Sequence, residues 1–118
     1  MKDISKELEY RGKKYKIVFN LNVMQAIQEE YESLDKWGDL TGGENEPNAK
    51  AVIFGFWAML NEGIDIENEE LEKDAQIAPL TLKQVGRMLS EVGMAEASKT
   101  MQEAVVESTQ GGEDSKNE

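Results

Sequence analysis

The chain's most abundant reactive groups are its carboxylates. There are 24 Asp and Glu, with no histidine and no cysteine beside them. Carboxylates can act as general acids, as general bases or as ligands for hard cations, but each role needs a particular spacing. Without histidine, the commonest neutral-pH base and the commonest zinc ligand are absent, and the serines have no imidazole to activate them. Without cysteine there is neither a disulfide nor a thiolate. Glu29 and Glu30 are sequence neighbours, so on a helix they point about 100° apart rather than at one substrate. Asp65, Glu67 and Glu69 alternate as calcium ligands do. An EF-hand loop counted from Asp65 would need glycine at its sixth position and glutamate at its twelfth, where this chain has Glu70 and Gln76. "TGGENEP" lacks the lysine and the following hydroxyl of a phosphate-binding loop. No catalytic, cofactor-binding or metal-binding constellation emerges, and the expectation is a non-enzymatic protein.

The charge is unevenly spread. Residues 1–19 carry +3 and the remainder −14, for a total of −11 over 118 residues. An acidic body repels phosphate backbones, so nucleic acid is not an expected partner. Two uses of the charge remain: a solubilising surface, or negative charge presented to a basic partner. The start, "MKDISKELEY", lacks the apolar core of a signal peptide, and no apolar run reaches the ~18 residues of a spanning helix. These features lead to the expectation of a soluble cytoplasmic protein without a membrane partner.

The elements that would position any site follow from periodicity. Ile4, Leu8 and Tyr10, then Tyr15, Ile17, Phe19 and Leu21, alternate with polar residues around "RGKK", which predicts a β-hairpin turning at Gly12. Its lysines and arginine are expected to face solvent and blunt the strand edges. "LNVMQAIQEEYESL" switches to helical period, with Asn22 as the expected N-cap, Gln25 as its capping-box partner, and Leu21, Met24, Ile27, Tyr31 and Leu34 as the buried stripe. Trp37 and Leu40 are expected in a short turn over the core, before a loop containing Gly42, Gly43 and Pro47. A second helix should run from Asn48 to Asn61 and stop near Gly63. A third begins at the capping box of Thr81 and Gln84, buries Leu82, Val85, Leu89 and Val92, and ends at Gly93. A fourth spans 95–108, with Ala97, Met101, Ala104 and Val105 on one face. Its Glu96, Glu103 and Glu107 outweigh Lys99, which disfavours reading the last two helices as a DNA-binding helix-turn-helix. The expected fold is α+β: an N-terminal β-hairpin packed against a mainly α-helical body of about four helices. Residues 1–108 are expected to form a single domain, and 109–118 a disordered polar C-terminal tail.

The helix containing "AVIFGFWAML" is apolar nearly all round. At about 100° per residue, Val52, Ile53, Phe56, Met59 and Leu60 share one face, Ala51, Gly55 and Ala58 another, and Phe54 and Trp57 a third near Lys50 and Asn61. One reading buries every face in this chain's own core. The other makes Ala51, Phe54, Gly55, Trp57 and Ala58 a partner-binding surface, since small residues permit close approach and aromatics are enriched at contacts. Met24, Met59, Met88, Met94 and Met101 could add adaptable apolar surface or could pack the core.

The order of these elements is hairpin, "FNLNVMQAIQEEY", "VIFGFWAMLNEG", an acidic connection, "PLTLKQVGRMLSEVG" and an alanine-rich helix. Over roughly residues 10–108 this resembles the tail assembly chaperones of long-tailed bacteriophages and prophages. The resemblance implies a protein that binds the tape measure protein and keeps it soluble during tail assembly. Such a protein would act in the bacterial cytoplasm and be absent from the mature virion. The tail tube protein and further copies of the chain are its other implied partners. It further implies a longer form made by ribosomal frameshifting, for which the polar stretch from Thr109 would suit the junction. Two rival functions stand beside it: an acidic DNA mimic that inhibits a host nucleic-acid-binding protein, and a structural component of the tail.

Overall fold

A computed structural model describes residues 5–42 and 46–117. The fold is α+β, as expected: a two-stranded antiparallel hairpin followed by five α-helices. Ile4 and Gly43, assigned above to the first strand and to the loop, lie outside the described residues.

β1 (Ser5–Tyr10) pairs with β2 (Lys13–Val18) in a register that runs from Ser5 opposite Val18 to Tyr10 opposite Lys13. Arg11 and Gly12 form the two-residue turn, and both have positive φ (52° and 81°). That is the turn whose twist matches a hairpin, and glycine takes its second position without strain. Leu8, Ile17 and Phe19 enter the core. Val18 is buried as well, although it lies on the other face of the strand from Ile17. Among the hairpin's cations, Lys6 is partly covered, whereas Arg11 faces solvent as expected. Lys6 pairs with Glu107 at 3.2 Å, and Arg11 with Glu91 at 2.9 Å.

α1 (Leu21–Tyr31) starts earlier than its capping pattern suggested. Asn20, not Asn22, is the N-cap, and its side-chain oxygen accepts from the Val23 N–H at 3.2 Å. Asn22 lies inside the first turn; it and the N-cap Asn20 donate to the Glu62 carboxylate at 3.1 and 2.8 Å. Leu21 is 67% exposed. Val23 and Ile27 are the buried residues of α1, and Met24 and Tyr31 pack beside them.

The expected short turn around Trp37 is a nine-residue helix, α2 (Leu34–Gly42). Ser33 Oγ accepts from Lys36 N–H at its start. Trp37 is only 1% exposed and its indole N–H donates to the Ala51 carbonyl at 3.0 Å. Buried Thr41 ties α2 to the last helix: Gln102 Nε2 donates to its hydroxyl at 2.7 Å, and Ser98 Oγ donates to its carbonyl.

α3 (Ala49–Asn68) begins as expected at Asn48, whose side chain accepts from Ala51 N–H at 3.0 Å. It does not stop near Gly63. A Cβ at Gly63 would lie 2.9 Å from the Lys16 carbonyl oxygen and 3.5 Å from Val18. That glycine lets β2 approach the helix rather than ending it. Asp65 and Glu67 are therefore helical, and only the residues after Asn68 form the acidic connection, with a 3-10 turn at Lys73–Ala75.

α4 (Leu82–Val92) has the full capping box between Thr81 and Gln84 and ends at Gly93, where φ is 100°. Val85, Met88 and Leu89 are buried, whereas Leu82 is 48% exposed. α5 (Met94–Asn117) buries Ala97, Met101 and Ala104. It runs on past Ser108, so the expected boundary between body and polar tail is not a helix end.

The two glycines of adjoining helices give opposite predictions. A Cβ at Gly55 would lie 2.5 Å from Trp37 Cζ2 and 2.8 Å from Met101 Sδ, while one at Gly38 would meet nothing within 4 Å. Gly38→Ala is expected to stabilise the fold by roughly 0.5–1 kcal/mol through helix propensity. At Gly55 the same gain is opposed by overpacking of about 1–3 kcal/mol, so Gly55→Ala is expected to destabilise. Urea unfolding of the two variants, read as a shift of midpoint in opposite directions, checks this.

Candidate functional site

The described residues hold no group of three or more His, Cys, Asp or Glu arranged to bind a metal ion. The feature with most to offer is instead the surface of α3, taken face by face.

Its small-residue face is filled from within. Ala51, Gly55 and Ala58 are buried, and the Trp37 ring with Met101 Sδ occupies the notch at Gly55. Gly55 makes the close approach expected of this face, but to α2 and α5 of the same chain, and the Ala51 carbonyl accepts from Trp37 of α2. On the broad apolar face, Val52, Phe56, Met59 and Leu60 are buried. Ile53, expected with them, is half-buried. It lines a hollow of about 190 Å³ with Ala49, Gly86, Leu89, Ser90 and Met94.

On the third face Phe54 and Trp57 are half-buried, packed against the core along one side. Their ring centroids are 5.5 Å apart at an interplanar angle of 41°. Tyr31 of α1 meets Phe54 edge-on, at 5.7 Å and 70°. Ile53, Trp57 and Phe54 span about 100° of the helix circumference, so the hollow and the aromatic cluster lie side by side on α3. The methionines divide accordingly. Met59, Met88 and Met101 are core residues, Met24 is half-buried, and Met94, 37% exposed, stands at the hollow.

The phenol of Tyr31 has an unusual setting. Its oxygen is buried, and no hydrogen-bond partner for it exists among the described residues. Burial, and to a lesser degree the negative charge of Glu30, push its pKa above the ordinary tyrosine value. Glu30 in turn lies 3.9 Å from Lys50.

Further along the same stripe, two asparagines hold an extended segment. Asn61 Nδ2 donates to the Leu80 carbonyl at 3.0 Å, and its Oδ1 accepts from Leu80 N–H at 2.8 Å. Asn68 does the same for Ile77, at 2.9 and 2.8 Å. Lys50, Phe54, Trp57, Asn61 and Asn68 fall within about 60° of one another on the helical wheel. The stripe is thus aromatic and open at its N-terminal half, and amide-rich and covered at its C-terminal half. Sequence reasoning missed Asn68 because it ended the helix near Gly63. Extending the same wheel by one heptad beyond Asn61 would have found Asn68.

No protein-family model matches the chain, and no match was found among curated proteins or solved structures.

Tyr31→Phe removes a buried hydroxyl that lacks a partner, so it is expected to leave stability unchanged or raise it by up to about 1–2 kcal/mol. The raised phenol pKa fixes the sign of the pH effect. The folded chain holds the Tyr31 proton more tightly than the unfolded chain does. This contribution is present in full below the ordinary tyrosine pKa and is lost as pH rises through the folded value. Above pH 10, wild type should therefore lose stability faster than Tyr31→Phe in chemical unfolding, and equal losses would contradict the assignment.

Proposed function

We propose that the chain is a non-enzymatic phage tail assembly chaperone that binds the tape measure protein and keeps it soluble while the tail is built. The observation that carries this reading is the aromatic pair Phe54 and Trp57, half-buried and only partly covered, on a helix whose other faces are largely buried in the chain's own core. Large aromatics left on a surface are the usual anchors of protein contacts, and a few such residues commonly supply most of the binding energy. The hollow at Ile53 and Met94 adds apolar area beside them. The surrounding negative charge, −14 over residues 20–118, would keep a complex with an aggregation-prone client in solution. The element order that resembles the tail chaperones points to the same class. The reading needs no catalytic group, and no helix among the described residues is long and apolar enough to cross a membrane.

Co-expression with the tape measure protein of the same genome tests this. The client is expected in the soluble fraction with the wild-type chain, and in the pellet with Phe54→Ala/Trp57→Ala. Loss of two anchors should weaken association at least tenfold, about 1.4 kcal/mol. Circular dichroism of the double variant should remain helical. A client that is equally insoluble with and without the wild-type chain rules the reading out.

A further inference from the structure

The geometry points to α3 as a track for extended polypeptide, with the chain's own segment 76–80 as its resident occupant. The inference is drawn from α3 and this strap alone and does not rest on the chaperone reading.

Three observations carry it. The first is the form of the contact. Asn61 and Asn68 each present one donor and one acceptor to the carbonyl and N–H of a single residue, Leu80 and Ile77. Each side-chain amide takes the part that a peptide group plays in a neighbouring β-strand. Recognition of this kind reads main chain and is indifferent to most side chains. The second is the match of repeats. Seven residues of helix rise about 10.5 Å, and three residues of extended chain span about 10 Å. One heptad of α3 thus keeps step with three residues of strap, and Pro79 falls between the pinned residues, where no N–H is asked for. The third is how little else holds the strap. Among the described residues, no backbone–backbone hydrogen bond links residues 76–80 to another segment. Its attachments are the two asparagines, a further bond from Gln76 Nε2 to the Asn68 carbonyl at 3.2 Å, and the half-buried side chains of Ile77 and Leu80. A segment held by so few contacts opens far more readily than the core.

Released, the strap would uncover both amides in line with Trp57 and Phe54. The occupant this track fits is an extended stretch of another polypeptide with apolar side chains three residues apart, the pattern of Ile77 and Leu80. Such a stretch could continue over the aromatic half of the stripe, which the strap never reaches because the chain turns into α4 at Thr81. The resident strap competes at the millimolar effective concentration typical of a tethered segment, so a free peptide binds the closed chain weakly.

The test uses the full chain and a fluorescein-labelled synthetic peptide, KDAQIAPLT, copied from residues 73–81. In fluorescence anisotropy, Ile77→Gly/Leu80→Gly, which weakens the resident strap, is expected to bind the peptide at least tenfold more tightly than wild type. Adding Asn61→Ala and Asn68→Ala to that chain should lose at least tenfold. Binding that ignores the asparagines, or no binding by a strap-weakened chain whose circular dichroism stays helical, overturns the proposal. Should the strap-weakened chain fail to fold, hydrogen exchange of wild type decides. The Ile77 and Leu80 amides are expected to exchange at least tenfold faster than those of Phe56 and Met59. Exchange of all four at one common rate would show that the strap opens only with global unfolding, and would overturn it too.

Discussion

The indole of Trp37 occupies the space that a side chain at position 55 would need, and much of the helical body is organised around that contact. Only glycine permits it, because a single Cβ would lie 2.5 Å from the ring. The ring brings α2 against α3, and its N–H secures the Ala51 carbonyl one turn earlier. Met101 enters the same notch from α5, while Thr41 joins α2 to α5 through Gln102 and Ser98. Three helices are thus registered by one missing methyl group. A second notch, at Gly63, does the same for the hairpin by admitting the Lys16 carbonyl. Close-packed interiors respond to changes as small as a methylene, so these two positions hold more of the fold than their size suggests.

The parts of the fold readable from sequence were those fixed by neighbours in the chain. The Arg11–Gly12 turn, the Asn48 cap, the Thr81–Gln84 box and the Gly93 terminus are all settled within a few residues, and each stands where its chemistry placed it. The failures have a common origin in tertiary contact. Gly63 has the look of a helix stop, and only the approach of β2 explains a glycine within a continuing helix. Trp37 reads as part of a short turn over the core, and only its socket at Gly55 explains a full helix there. Leu21 and Leu82 fit the helical period, yet each is the first residue after its N-cap and remains exposed. At the candidate surface, Phe54 and Trp57 were legible as a separate flank. The fate of Ala51, Gly55 and Ala58 was not, because a small-residue face suits a neighbouring helix of the same chain as well as one from a partner.

α3 thereby emerges as a helix surrounded by unlike neighbours: α1 along Phe54 and Glu62, α2 and α5 at Gly55, the hairpin at Gly63, α4 beside Ile53, and the strap at Asn61 and Asn68. What remains is the short aromatic stretch of Phe54 and Trp57, flanked by Tyr31. A half-buried tryptophan and phenylalanine contribute less to folding than fully buried ones would, and their uncovered edges remain for association. The proposed role in client binding follows from that leftover surface combined with an acidic exterior, and it asks nothing of the carboxylates beyond charge.

The two tryptophans make the central claim directly measurable. Trp37 is enclosed, and Trp57 is partly open to solvent. Acrylamide is uncharged, so the chain's negative charge does not bias its approach, and it should quench Trp57 while sparing Trp37. When the chain is saturated with a tryptophan-free segment of the tape measure protein, the quenchable component is expected to disappear. A saturated complex in which acrylamide quenches as strongly as in the free chain would show that the α3 flank is not where the client binds.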